Sequence, residues 1–307
     1  MNKIVAIVGP TGIGKSRMAI LLAHNFDIEI ISADSRQVYC YMDIGTAKPE
    51  KRYLSGVPHH LINIINPDDA FGLAQYKELA IKAIETSWQR GRLPLLVGGS
   101  GQYAWSLLED WGIPSVPPDP DFRQSLEARA AKDGGEEIFH ELEQHDPVAA
   151  ARIDRRNIRR VIRALEVSRS LSLKPKRTKA AYDSLIIGLT ADRKELYRMI
   201  DKRVDRMMDN GLVEEVKRLI GRGYRLDLPA MSSIGYRQIG EYLEGKTNLE
   251  AAVQQIKFES HRFVRQQYNW FSLKNDRIRW FDIQLNPIAD IIELIEGFTG
   301  RVTDKKL

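Results

Sequence analysis

The chain has a single cysteine, Cys40, among 307 residues. That excludes an intramolecular disulfide and a cysteine-rich zinc site, and makes a reducing cytoplasm the expected compartment. No apolar run approaches the roughly 18 residues a membrane-spanning helix needs, so no membrane partner is expected. The apolar opening, Ile4 to Val8, is too short for the core of a signal peptide and runs straight into glycines. Internal repeats are also missing. The charge is only mildly one-sided: 46 Lys and Arg against 41 Asp and Glu, a net of +5. Such an excess suits a polyanionic partner without specifying one.

What is present is alternation. Short apolar runs at 4–8, 28–32, 61–65, 93–97, 185–189 and 278–283 are separated by helix-like stretches. This pattern predicts an α/β fold with a mostly parallel sheet flanked by helices. The alternation breaks once. Between Leu96 and Leu185 no strand-like run occurs; the gap opens with the proline-rich Gly112–Asp121 and ends at the basic Lys174–Lys179. An all-helical insertion over 115–183 is expected, within a core made of 1–114 and 184–307.

The residues Gly9, Pro10, Thr11, Gly12, Ile13, Gly14, Lys15 and Ser16 match GxxxxGK[ST]. They follow a strand-like run and open a helix-like one, the context a P-loop requires. Backbone N–H groups turned inward and the helix N-terminus would cradle phosphates, and Lys15 would add a full charge. The Ser16 hydroxyl is placed to ligate Mg²⁺. The loop identifies a phosphate binder, not a reaction. An ATPase or GTPase should hold its magnesium shell with a carboxylate after a second strand. Here the run 93–97 ends in Gly98-Gly99-Ser100, and no guanine-reading NKxD occurs. A small-molecule or nucleotide kinase using ATP, with the arginine-rich insertion as its lid, stays open.

Asp34 falls where the second strand should end, the ligand side of an open α/β sheet. There it can bind metal, accept a proton from a nucleophile, or cap the following turn. Ser35, Arg36 and Gln37 crowd hydrogen-bonding groups beside it. Six arginines fall between Arg152 and Arg163. With Ile158, Val161, Ile162 and Leu165 turned to a core, Arg156, Arg159, Arg160 and Arg163 form the outer face of a helix. Asp154 is the one acid among them, so the face is either a phosphate-backbone contact or a solvated surface. Leu196, Ile200, Val204 and Met207 make an apolar stripe with Arg203 at its edge, free to act or to pair with Asp201 or Asp205. The stretch 258–271 interleaves basic and aromatic residues, as an RNA-stacking helix or an amphipathic core helix would. Adjacent His59 and His60 point to opposite faces of a strand, which argues for packing and hydrogen bonding over a metal pair.

In this order, GPTGIGKS, ISADSRQVY, MDIGTAKP, PHHL, LLVGGSGQY, RALEV and IGYRQ resemble the tRNA dimethylallyltransferases, also called tRNA isopentenyltransferases, from about residue 3 to about 283. The resemblance implies that the phosphate loop holds the diphosphate of dimethylallyl diphosphate. It implies transfer of the five-carbon group to N6 of the adenosine just 3′ of the anticodon in tRNA, with Mg²⁺ as cofactor. Asp34 aligns with that family's general base, and Asp34, Ser35, Arg36 and Gln37 with the segment holding the extruded adenosine. Ser100, where the family usually has Thr, lines the reaction channel, and Gln102 replaces a usual Leu. Arg203 aligns with an arginine on the diphosphate. Arg123, Arg159, Arg160, Arg163, Tyr236 and Arg237 match positions on the tRNA side, so the anticodon stem-loop is the expected partner. Ser260, His261 and Gln266 depart from the family's usual Thr, Arg and Arg. A cytoplasmic monomer is expected.

Overall fold

The computed structural model describes residues 3–49, 56–114, 116, 118–169 and 182–300. The strands are β1 (Lys3–Val8), β2 (Ile28–Ser32), β3 (His59–His60), β4 (Leu93–Gly98), β5 (Asp183–Thr190) and β6 (Ile278–Asp282). They form one sheet in the order β3-β2-β4-β1-β5-β6, with every pairing parallel. β1, β2 and β4 are continuous buried runs rather than alternating ones, because helices cover both faces of a parallel sheet.

One strand differs from expectation. The run 61–65 is not a strand: Leu61 and Asn63 adopt left-handed φ of 64° and 56°, which breaks an extended ladder. The two histidines before it pair with Ile30 and Ile31 instead. Ile65 makes only an isolated bridge to Tyr39. His59 Nδ1 lies 2.6 Å from the Val57 carbonyl and His60 Nε2 lies 2.7 Å from Glu29, so both histidines are held by hydrogen bonds.

The helices are α1 (Lys15–Ala23), α2 (Leu73–Gln89), α3 (Gly101–Leu108), α4 (Pro120–Asp133), α5 (Glu136–His145), α6 (Pro147–Ala150), α7 (Ile158–Arg169), α8 (Arg193–Asp209), α9 (Leu212–Gly221), α10 (Tyr236–Leu243), α11 (Leu249–Trp270) and α12 (Ile288–Thr299). Chain contacts divide the protein into two units, Met1–Asp110 with Lys179–Leu307, and Trp111–Thr178. The basic stretch Lys174–Lys179, expected to close the insertion, lies outside the described residues.

In the larger unit one core packs Val5, Ile7, Leu95 and Ile187 of the sheet against Leu22 of α1, Leu196 of α8 and Ile291 of α12. A second core sits beside it. There Val38, Tyr39 and Met42, from the long connection after β2, meet Val204, Leu212, Val216, Tyr236 and Ile256 of the C-terminal helices. The stripe on α8 thus serves both cores. Asp192 starts α8 by accepting from the amides of Lys194 and Glu195. The smaller unit has its own core of Leu126, Ile138, Leu142, Val161, Ile162 and Leu165.

Candidate active site

Three loops meet at the carboxyl ends of the central strands: Gly9–Ser16 after β1, Asp34–Gln37 after β2, and Gly98–Ser100 after β4. Gly12 and Gly14 have φ of 81° and 94°, a backbone that lets successive N–H groups face inward. Lys15 Nζ, at the start of α1, donates to the carbonyls of Gly9 at 3.0 Å and Pro10 at 2.8 Å. Burial pulls the Lys15 pKa down to about 7; the Arg203 charge pushes the same way and Asp34 opposes. An anionic ligand at this loop would restore the full ammonium charge.

Arg203 also belongs to this cluster. Its guanidinium donates to Thr11 Oγ1 at 2.9 Å. The acids that might have held it at the surface are engaged elsewhere. Asp201 faces His261 Nε2 at 2.9 Å and Asp205 faces Lys257 at 2.6 Å. Burial holds the Arg203 pKa below the usual guanidinium value.

Asp34 uses only one of its two carboxylate oxygens in the loop. Its Oδ1 accepts from the Arg36 amide at 2.8 Å, closing the turn, and Oδ2 has no partner among the described residues. Ser100 Oγ accepts from the Ser35 amide at 3.0 Å, which ties the loop after β4 to the loop after β2. Arg36 donates to the Pro229 carbonyl at 2.9 Å. Gln37 Oε1 accepts from Ser32 Oγ at 3.2 Å. Beside them Tyr103 stacks on Tyr76, with ring centroids 3.8 Å apart. Burial lifts both phenols above their ordinary pKa, and the Asp34 charge adds to the effect. Neither tyrosine therefore titrates near neutral pH, and Asp34 is the acidic side chain that lines the cavity.

The three loops and Arg203 border one cavity of about 270 Å³. Its polar end carries Thr11, Lys15, Asp34, Ser100 and Arg203, and its wall is built from Ile200, Val204, Met207, Ile256 and Phe263. A neighbouring cavity of about 200 Å³ runs along Gly12, Gly14, Ser16, Thr46 and Ala47. The geometry offers an anion site, a carboxylate and an apolar wall within one space.

The IPP transferase family profile matches residues 37–276. The chain belongs to the IPP transferase family. A relative named tRNA dimethylallyltransferase, from Dehalococcoides mccartyi, is 46% identical over 96% of this chain and 92% of its own length. The tRNA isopentenylpyrophosphate transferase structure from Bacillus halodurans is 40% identical, covers 97% of both chains and has a TM-score of 0.73. A eukaryotic dimethylallyltransferase acting on tRNA is 25% identical and superposes with a TM-score of 0.82 over 99% of this chain and 81% of that one.

Not every IPP transferase position singled out by sequence lies at this cavity. In the smaller unit the arginine face is more neutralised than one acid would allow. Glu166, almost fully buried, holds Arg123 through two contacts of 2.6 and 2.9 Å and Arg163 through one of 2.9 Å. Arg156 pairs with Asp154, and Arg155 with Glu136. Among the described residues, Arg159 and Arg160 are exposed and have no ion-pair partner.

Tyr236 corrects the expectation of an RNA contact. It is 0% exposed, and its hydroxyl donates to Glu215 at 2.6 Å. Arg237, one residue on, is exposed and lies 3.9 Å from Glu259. α11 divides between its two readings: Phe271 is buried, whereas Phe263 is 39% and Trp270 38% exposed. His261 Nε2 lies 2.9 Å from Asp201 Oδ1 without hydrogen-bond geometry, and its ring stacks on Tyr197 at 4.1 Å.

Two functional supports escaped the sequence reading. Glu215, buried on α9, accepts from the amides of Asp43, Ile44 and Gly45 at 2.9 to 3.2 Å and so fixes the MDIGTA turn that lines the cavity. Gln267 on α11 bonds to both Thr11 and Gly99. One of the two glutamates in VEEVKR and one of the two glutamines in RQQYNW carry no local signal. Only a buried polar side chain on an otherwise apolar helix face hints at either.

Proposed function

We propose that this chain transfers a dimethylallyl group from dimethylallyl diphosphate to N6 of the adenosine 3′-adjacent to the anticodon in tRNA. One observation carries the reading: the cation-lined loop opens onto an apolar wall and the Asp34 carboxylate, while β4 ends in Gly98-Gly99-Ser100 rather than in an acid. The diphosphate would lie in the Gly9–Ser16 loop, against Lys15 and Arg203. The ligand set suits Mg²⁺ bound mainly by diphosphate oxygens. Ser16, exposed at the start of α1, would supply one protein hydroxyl, and the ion would offset charge on the departing diphosphate. The five-carbon chain would rest on Ile200, Val204, Met207 and Phe263.

The bonds follow from that placement. The adenine N6 lone pair is delocalised and weakly nucleophilic. As N6 bonds to C1 of the allyl group, the C1–O bond breaks and its electron pair leaves with the diphosphate. The N6 proton passes to Asp34 Oδ2, the oxygen not used in the turn. Lys15 and Arg203 would meet charge that grows on the leaving group, where preorganised cations act most. Ser35, Arg36, Gln37 and Ser100 frame the acceptor side. The adenosine must leave its stack to reach this space, at a cost of a few kcal/mol. Arg159 and Arg160, exposed and without an ion-pair partner among the described residues, would meet RNA phosphates. A tRNA substrate makes the cytoplasm the compartment.

The test is transfer itself. Labelled dimethylallyl diphosphate and Mg²⁺ are incubated with an anticodon stem-loop carrying adenosine 3′ of the anticodon, a matched RNA lacking it, and, in parallel, ATP as donor. Label in the first RNA alone is expected. Phosphate release or transfer from ATP, with neither RNA labelled, would replace this reading with the kinase.

A further inference from the structure

Gln267 is 4% exposed and lies more than 160 residues from either loop it joins. Its Oε1 accepts from the Thr11 amide at 2.8 Å, and its Nε2 donates to the Gly99 carbonyl at 2.9 Å. A primary amide supplies one acceptor and two donors, so a single side chain meets the opposite needs of two backbones. Thr11 in turn holds Arg203 through its hydroxyl, and Ser100, next to Gly99, holds the Ser35 amide. Gln267 is thus the one described side chain that hydrogen-bonds to both the loop for the diphosphate and the loop beside the acceptor segment. The packing at this junction leaves no slack. A Cβ on Gly99 would sit 2.3 Å from Gln267 Nε2 and 3.2 Å from the Gly9 carbonyl, so only glycine lets the amide close on its carbonyl.

We infer that Gln267 is a positioning residue that sets the donor loop against the acceptor loop, holding C1 of the allyl group in line with N6. The inference rests on the transfer reading above. The physical argument is one of tolerance. Reacting atoms must approach within about 3–3.5 Å, and a misplacement of about 1 Å costs on the order of a hundredfold in rate. The two loops belong to neighbouring strands, β1 and β4, whose ladder fixes the strands but not the turns beyond them. A buried two-sided hydrogen bond supplies the missing constraint. Removing it strands a part-buried N–H and a buried C=O, and the loops must shift to satisfy the second.

Gln267→Leu removes both bonds at nearly constant volume. The expected result is a single-turnover transfer rate lowered about ten- to a hundredfold, with KM for the donor and Kd for tRNA changed less than about threefold. Exchange of the Thr11 amide hydrogen should quicken. Gly99→Ala approaches the same contact from the other side and should shift the rate in the same direction. Gln267→Glu supplies a readout that simple destabilisation does not. When protonated, its carboxyl reproduces the amide: the carbonyl oxygen accepts from Thr11 and the O–H donates to Gly99. When ionised, its second oxygen opposes the Gly99 carbonyl. The ratio of variant to wild-type rate should therefore rise as pH falls from 8 toward 5.5. The charged groups lining the same cavity are Lys15, Asp34, Arg36 and Arg203; they are common to both proteins and cancel in the ratio.

Wild-type protein in the same assay keeps the two proposals apart, because an inactive wild type would count against the transfer reading. Against an active wild type, a Gln267→Leu rate within about threefold, an unchanged Thr11 exchange, or a flat Gln267→Glu ratio would overturn the positioning role. Should Gln267→Leu fail to fold, the pH ratio of Gln267→Glu decides.

Discussion

Asp34 shows how a side chain can meet a structural demand and keep an oxygen in reserve. A carboxylate has two oxygens, and the turn uses one. Asp34→Asn keeps an acceptor for the Arg36 amide and removes the base. Its kcat should fall about 10²- to 10⁴-fold with tRNA affinity nearly unchanged. Single-turnover transfer alongside a binding titration would check this, and a rate within about tenfold of wild type would take Asp34 out of the proton transfer. Arg203 teaches a related lesson. Its position beside two aspartates left a surface ion pair open, yet those acids face His261 and Lys257 of α11, 60 and 52 residues away, partners that helical spacing cannot reveal.

Among the elements, the turn 42–48 depends most on distant support. Glu215 holds three of its amides from one side. Lys48 ties it from the other, donating to the Tyr39 carbonyl at 2.5 Å and Asp43 at 2.8 Å. Gly45 packs so closely on the Tyr236 ring that a Cβ would lie 2.4 Å from it. Glu215→Gln turns an acceptor-only group into one that points N–H at N–H. Stability should drop by about 1–3 kcal/mol, since buried donors lose their partner. Faster hydrogen exchange at Asp43–Gly45 and a lower melting temperature would register it; unchanged exchange would assign the turn's order to Lys48 alone. The helix α7 makes a comparable point. Its apolar spacing gave the correct buried face, but Glu166 sits inside that face and recruits Arg163 and Arg123. Replacing Arg159 and Arg160 together by alanine should weaken tRNA binding and lower the salt slope by about two phosphate contacts, or about 1.4–1.8 in log–log terms. An unchanged slope in a filter-binding titration would return this face to solvent.

Across the whole molecule, the sheet carries a buried charge that bears on stability rather than chemistry. Glu29 of β2 is 0% exposed. Burial alone would raise its pKa, but hydrogen bonds from His60, Arg90, Ser87 and Arg92 outweigh it and hold the carboxyl down to about 2, against 4.5 ordinarily. A carboxylate with its pKa depressed in the folded state stabilises the protein above the unfolded value and loses that stabilisation as pH falls. Wild-type stability should therefore decline from about pH 5 toward pH 2. Glu29→Gln should be less stable at neutral pH and show a shallower acid decline. Denaturant midpoints across pH would measure both, and parallel curves would remove Glu29 from the acid response.

The fold class, the glycine loop after β1 and the polar turn after β2 were legible along the chain because each is a local event. Strand periodicity, a glycine pattern and a short polar run need only neighbouring residues. The strand expected at 61–65 failed for a local reason as well, the left-handed backbone at Leu61 and Asn63, which apolar content does not disclose. What the chain order could not reveal was which charges would neutralise which, that Tyr236 would turn inward, and that Gln267 and Glu215 would brace the loops. Those outcomes depend on side chains meeting across long separations, where burial makes an unpaired polar group costly and folding selects the partner.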